Sequence, residues 1–489
     1  MIWGQIAWGA LLAGLLGFTF RRAWKWEHGA GERALFSEKR GKETFVFVPP
    51  TVLIWVLLVF LVIFLWHFGV QRGLIHFAAL AFEVLLLLSA YFVVLLLLLP
   101  LLRRWFSARM CAVLWLVPDF LSWQAHALIN TLPLPRLMIY LPRNVWPVIG
   151  TVWLFGFLVV IGYYFIQHLI LCMWLRKNSA PESDKEIREV WKLEQEALDY
   201  RRPTALLRAD VSAPFSIGQT KRSRCTVLPE RGYTKEELSM IFRHELHHLQ
   251  RYDADTKVFL CLCNALCWFN PLVWTATRKA ADDLERSCDE IVTGEMEAGE
   301  RRAYANLLLA SAASGKGFTT CLSGAAGTLR YRLKSVMDQR RRLLGTAVLM
   351  AALFGCVMCF GTVSVSDTRG NFTSLILDPD TEIQAVYDGN SPDTLRWGPD
   401  TLIWDEPALR ETLEGIELEH LAGLRSPVLH GMKITFVLSE GRFVTLTDQV
   451  VVIHNYHKYN STADCYIVND PVDWEGLRAC LHTVGGQQQ

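Results

Sequence analysis

The sequence predicts a multi-domain membrane protein, with an α-helical transmembrane region of about six spans, a mainly α-helical cytoplasmic domain and a small extracellular α+β domain. Three observations carry this expectation. The chain is 52% hydrophobic and only 20% charged, a balance too apolar for a purely soluble protein. Several apolar runs approach or exceed the roughly 20 residues that a helix needs to cross a bilayer. Its 489 residues are enough for two or three domains that each bury a core. The formal net charge of +1 gives no case for direct nucleic-acid binding. The 12 cysteines lack the paired spacings of a zinc ribbon or a small disulfide scaffold.

The predicted spans lie near 2–20, 45–66, 77–102, 145–175 and 343–365, with a weaker run at 111–123 that carries Pro118 and Asp119. No charged segment precedes the first run and no small-residue cleavage site follows it, so it reads as a retained span. Sidedness comes from the basic residues. Arg21, Arg22 and Lys25 follow the first run, and Lys39, Arg40 and Lys42 precede the second. Arg103, Arg104 and Arg109 follow the third, Arg176 and Lys177 follow the run ending near 175, and Arg340, Arg341 and Arg342 precede the last. With every cluster cytoplasmic, 111–123 must also cross, which gives six spans and an outer N-terminus. The expected organisation of this multi-pass cell-membrane protein is a transmembrane region at 1–175, a cytoplasmic domain at 176–342, a last transmembrane helix at 343–365 and an extracellular domain at 366–489. Glu83, Gln167 and His168 fall inside apolar runs; interhelical hydrogen bonds or snorkelling are favoured for them over a signalling role.

Residues 184–201 are charged and helix-favouring and read as a solvated linker helix that Pro203 ends. From 211 to 229 the pattern is turn-rich, with Val211, Phe215, Ile217, Val227 and Leu228 as apolar points, as in a short sheet or hairpin. Thr234 followed by Glu237 forms a capping box, with Tyr233 and Leu238 as its hydrophobic staple. A helix is therefore predicted from Thr234 towards Asp253. Leu238, Phe242, Leu246 and Leu249 make its core-facing stripe.

That helix carries His244, Glu245 and His248 as H-E-x-x-H. Positions four apart share a helix face, so two imidazoles can bind one metal ion. Glu245 can take a proton from a metal-activated water as that water attacks a carbonyl. His247 lies on a different face and falls outside the set. H-E-x-x-H alone also arises by chance on charged helices. A second helical stretch at 272–293 adds Glu285 and Asp289, one turn apart. Glu285 can complete a two-His, one-Glu site with water in the fourth position, and Asp289 can accept a hydrogen bond from a ligand imidazole. The competing reading leaves these acids solvated, with Asp282, Asp283 and Glu290 the best fits to it.

The segment 241–310 resembles the BlaR/MecR family of membrane antirepressor metallopeptidases. The matching stretches are 244–248 with Arg251 and Asp253, the run Trp268-Phe-Asn-Pro-Leu-Val-Trp274, the run Leu284-Glu-Arg-Ser-Cys-Asp-Glu290, and Arg302-Ala-Tyr-Ala-Asn-Leu-Leu308. Pro214, Gly218 and Leu228-Pro-Glu230 fit more loosely. The resemblance implies His244, His248 and Glu285 as ligands of Zn2+, Glu245 as catalytic base, and a cytoplasmic gluzincin-like zinc metalloendopeptidase domain followed by a last span and an outer sensor. Two departures limit it: family members typically have three spans before the peptidase where five are predicted here, and residues 366–489 contain no S-x-x-K, so acylation by a β-lactam is not expected.

Cys261, Cys263 and Cys267 lie in an apolar run interrupted by Pro271, and buried reduced thiols are favoured there over a second metal site. Cys465 and Cys480 are expected either to form an extracellular disulfide or to remain thiols. Residues 315–327 read as a flexible tether, or as an exposed loop open to self-cleavage. The C-terminal region is expected to mix strands at 372–377, 433–438, 443–446 and 449–454 with helices near 406–422 and 472–482. The expected partners are the lipid bilayer, a cytoplasmic protein substrate such as a transcriptional repressor (or the chain itself), and an unknown extracellular ligand. Two other functions stay open: a catalytically silent receptor or scaffold, and a constitutive membrane quality-control protease.

Overall fold

The computed structural model describes residues 2–27, 50–120, 134–218, 223–294, 296–313, 326–338, 342–377, 381–388, 402–422, 431–455 and 464–483. The basic residues Lys39, Arg40, Lys42, Arg340 and Arg341, and most of the 315–327 segment, lie outside them. The N-terminal region holds α1 (Ile2–Glu27), α2 (Pro50–Trp105), α3 (Ala108–Leu114), β1 (Leu137–Tyr140) and α4 (Trp146–Asn178). Inside α2 the chain reverses at Gly69, whose φ of 76° and ψ of 174° lie in a region that essentially only glycine adopts. The rings of Phe64 and Phe68 meet His76 across the turn, and Phe60, Phe64 and Leu80 share one apolar cluster. Residues 50–66 of the first of the predicted runs 45–66 and 77–102, and the whole of the second, lie in the two arms of this hairpin.

Among the described residues, three helices are long and apolar enough to cross a membrane: Trp3–Lys25, Phe68–Trp105 and Trp146–Asn178. Trp55–Trp66 and Thr346–Cys359 are apolar but shorter. The expectation of a crossing at 111–123 is corrected where the structure describes it. Here α3 closes at Leu114 and the chain turns before Pro118. Residues 108–120 are buried inside the protein, so their apolar character answers a protein core and not lipid. Within the expected last span at 343–365 the helical part is α11 (Thr346–Cys359, 14 residues), about 21 Å of helix at ~1.5 Å per residue. It packs along α1, where a Cβ on Gly9 would stand 3.1 Å from Phe354, the close approach that small residues allow between apolar helices.

The middle region begins with β2 (Ser179–Pro181), α5 (Lys185–Ala197), β3 (Ala205–Ala209), β4 (Phe215–Ile217) and β5 (Cys225–Pro229). It continues with α6 (Lys235–Gln250), α7 (Asp253–Leu266), α8 (Pro271–Val292), α9 (Ala298–Ala313) and α10 (Ala326–Met337). The strands pair in the order β2-β3-β5-β4, which meets the expectation of a short sheet at 211–229. The expected solvated linker at 184–201 is corrected: α5 buries Ile187 and Trp191, with Trp191 edge-on to Phe242 of α6 at 4.9 Å. Its Glu194 accepts hydrogen bonds from Ser239 at 2.5 Å and Arg243 at 3.3 Å. This amphipathic helix is part of the domain's core.

After α11, β6 (Val363–Ser366) pairs in parallel with β1, and Ser364 of β6 donates to the buried carboxylate of Glu83 at 2.8 Å. The C-terminal region follows with β7 (Arg369–Asn371), α12 (Phe372–Leu375), β8 (Ile383–Asp388), β9 (Leu402–Trp404), α13 (Glu406–Glu414), β10 (Glu417–His420), β11 (Lys433–Leu438), β12 (Arg442–Thr447), β13 (Val450–Asn455), β14 (Asp464–Val468), α14 (Trp474–Ala479) and β15 (Leu481–Thr483). It is an α+β unit: seven antiparallel strands in the order β7-β10-β14-β13-β12-β11-β8, with Leu409, Leu413 and Leu477 of the helices buried against the sheet. The strand expected at 372–377 is instead helical at its start, because Asn371 caps the Ser374 amide at 2.9 Å. Residues 417–420, expected to be helical, form a strand. Cys465 and Cys480 are not joined by a disulfide.

The long arm of α2 touches a different region at each end. Near Gly69, Arg72 pairs with Asp464 of β14 at 3.3 Å; near the other end, Arg103 pairs with Asp283 of α8 at 2.9 Å.

Candidate metal centre

The capping box at the start of α6 forms as expected: the Glu237 amide donates to Thr234 Oγ1 at 3.2 Å and the Thr234 amide to Glu237 Oε2 at 3.0 Å. Leu238, Phe242, Leu246 and Leu249 are buried along one side, which fixes the rotation of the helix and turns His244 and His248 towards α8. The helix stops at Gln250, short of Asp253. Tyr252 takes a left-handed φ of 57°, and this turn brings Asp253, the first residue of α7, back beside His248. On the facing helix, Asn270 caps the Leu272 amide at 3.0 Å and Pro271 occupies the first turn.

The Nε2 atoms of His244 and His248 are 3.1 Å apart. Glu285 Oε2 lies 3.6 Å from the first and Oε1 3.6 Å from the second. The three donor atoms fall within 4.8 Å of one another. Glu245 is buried beside them on α6, and His247 is buried outside this group. The outer nitrogens are held as well. His248 Nδ1 meets Asp253 Oδ2 at 2.7 Å, and His244 Nδ1 meets the Tyr304 hydroxyl at 3.1 Å, which donates to Asp289 Oδ1 at 2.7 Å. A hydroxyl that gives its proton to Asp289 accepts from His244, so both imidazoles present Nε2 lone pairs to the same point.

Two nitrogen lone pairs and a carboxylate facing one another repel unless a cation lies between them. Two nitrogens bound tetrahedrally at ~2.0–2.1 Å from zinc stand about 3.3 Å apart, close to the spacing present. The residues therefore fit a divalent ion.

Charge around the centre is arranged in layers. Arg332 forks onto Asp289 with contacts of 2.8 and 2.7 Å and reaches Glu285 at 3.3 Å, while Lys257 stands 3.5 Å from Glu285. Burial alone would raise the Glu285 carboxyl, but the charges of His248 and Lys257 outweigh it and hold it well below the usual carboxylate range. Asp289 is lowered in the same way, against its burial, by Arg332. Burial would depress His248, but the neighbouring Cys288 and Glu285 and the Asp253 hydrogen bond raise it well above the usual imidazole value. The surroundings of the two imidazoles thus favour positive charge, which suits a metal ion.

Of the site residues expected from sequence, His244, Glu245, His248 and Glu285 come together, and Asp289 supports His244 mainly through Tyr304, its own oxygen lying 3.4 Å from Nδ1. Asp253 and Tyr304 stood in the recognised stretches without an assigned role; Lys257 and Arg332 carried no local signal. The assignment of Asp282, Asp283 and Glu290 to solvent is corrected. Asp283 is fully buried and accepts from Arg103 and from Trp115 Nε1, each at 2.9 Å. Asp282 is also buried, and Glu290 accepts from the Ala108 amide at 2.6 Å. Cys263 and Cys267 are buried thiols, and among the described residues no metal-holding group includes them or Cys261.

A helical, membrane-associated chain with two imidazoles and a carboxylate converging across two helices has the makings of a metallopeptidase. Residues 136–336 match the family described as BlaR1 peptidase M56, and this segment belongs to that BlaR/MecR-type family. The chain is similar to Regulatory protein BlaR1 of Bacillus licheniformis, 26% identical over 161 residues, which cover 32% of this chain and 26% of that protein. The match thus spans about a quarter of the relative's length.

Proposed function

We propose that this chain is a membrane-embedded zinc metalloendopeptidase of gluzincin type that acts as a signal transducer, cleaving a cytoplasmic repressor-like protein, or itself, when its outer domain meets a ligand. The convergence of His244, His248 and Glu285 on one point carries the reading. These three residues would hold the ion, which when bound supplies an activated water and a Lewis acid for a peptide carbonyl. Glu245, one position along α6 and not among the donors, serves as the base that takes the water's proton and passes it to the departing amine. Asp253 and Tyr304 hold the imidazoles in the tautomer that leaves Nε2 free to donate.

The membrane arrangement rests on the long arm of α2. Between Arg72 and Arg103 it runs about 46 Å at ~1.5 Å per residue, more than the ~30 Å hydrocarbon core. The basic neighbours of Arg103, beside the peptidase, favour the cytoplasmic side for that end, which supports an outer position for the C-terminal α+β domain. The test is a comparison of full-length wild type with Glu245→Gln in detergent and in cells. The variant is expected to retain stoichiometric zinc yet to lose proteolysis, and the cytoplasmic proteins whose termini differ between the two strains are the substrates. Undiminished cleavage by Glu245→Gln rejects the assigned base, and absence of metal-dependent cleavage by the wild type favours a silent receptor instead.

A further inference from the structure

A second set of donors lies away from the peptidase, where the turn of the α2 hairpin meets the C-terminal sheet. His76 comes from the hairpin, His420 from the end of β10 and Asp464 from the start of β14. A donor atom from each lies within 4.8 Å of the other two. They line a cavity of about 80 Å³, room for an ion with its waters. We propose that this is a divalent-cation site of the zinc class, joining the C-terminal domain to the membrane hairpin.

The local chemistry argues for a metal beyond the proximity of three residues. Asp367 is hydrogen-bonded to His420 Nδ1, the same carboxylate–imidazole support that Asp253 gives His248. It fixes the tautomer that leaves Nε2 to donate. Tyr466 packs on the His420 ring at 5.0 Å, and Phe68 covers His76 at 4.2 Å, so both rings are held in place before any ion arrives. Two imidazoles with one carboxylate select a borderline ion such as zinc over calcium or magnesium, which take oxygen ligands. Asp464 now pairs with Arg72, whose side chain is 60% exposed. A surface ion pair of that kind contributes little, and the guanidinium can swing into water when a cation takes its place.

The ligands come from two regions far apart in sequence, so an ion here fastens the outer domain to the hairpin arm whose other end holds Asp283. The inference stands independently of the peptidase reading. Its test is zinc titration of the full-length, untagged chain in detergent after stripping with a chelator. Wild type is expected to take up two equivalents, and the double variant His244→Ala/His248→Ala one. In that background, His420→Ala and, separately, the nearly isosteric Asp464→Asn should each abolish the remaining equivalent, together with the rise in melting temperature that zinc produces. A double variant that binds no zinc, or whose zinc and melting shift survive Asp464→Asn, overturns the proposal.

Discussion

The carboxylate of Asp253 stands 2.7 Å from Nδ1 of His248, held there by the left-handed turn at Tyr252. A ligand imidazole anchored in this way is oriented and made more basic, and losing the anchor typically weakens metal binding 10–100-fold. Asp253→Asn is therefore expected to reduce zinc affinity by about that factor while the fold persists, as measured by competition with a chromogenic chelator. Unchanged affinity would show that packing alone orients His248.

Asp289 gives the metal-stripped protein a pH dependence of definite sign. Its folded pKa is lowered, against burial, by the Arg332 guanidinium, below the unfolded value of ~3.9. Its contribution to stability is complete above about pH 4 and is lost as pH falls through the folded value. Removing the carboxylate at neutral pH leaves Arg332 largely buried without its main partner, which costs on the order of 3 kcal/mol. The difference in melting temperature between wild type and Asp289→Asn should thus be large at pH 7 and shrink below pH 4. A difference that stays constant with pH would place the effect in packing.

The helix of His244 and His248 was legible in sequence because its start, stripe and ligand pair are all local. Capping box, period and i,i+4 spacing sit within one segment. Glu285 was legible as the same face of a second amphipathic helix. The supports were not, since Asp253 depends on a backbone turn and Tyr304 and Arg332 arrive from α9 and α10 by tertiary packing. Asp283 looked solvated because its partner Arg103 lies 180 residues away. The run 111–123 looked like a span because apolar composition does not distinguish a side chain facing lipid from one facing protein.

That ion pair also makes the strongest stability prediction. Asp283 is fully buried and Arg103 is 14% exposed, with the guanidinium over the Tyr331 ring at 4.4 Å and Arg286 also 3.6 Å from the same carboxylate. Burial drives the Asp283 carboxyl upward, and the two arginines and Trp115 only partly counter it. Arg103→Ala strips away the closest cation and leaves the charge in the protein interior, an outcome that costs roughly 3–5 kcal/mol. Because the same residue tethers the α2 arm to α8, the loss should also loosen the helix that carries Glu285. Thermal unfolding in detergent is expected to show a clear drop for Arg103→Ala, and Arg103→Ala/Asp283→Asn should recover part of it by removing the stranded charge. Without such recovery, the loss would trace to the packing of Arg103 on Tyr331 and not to the buried carboxylate.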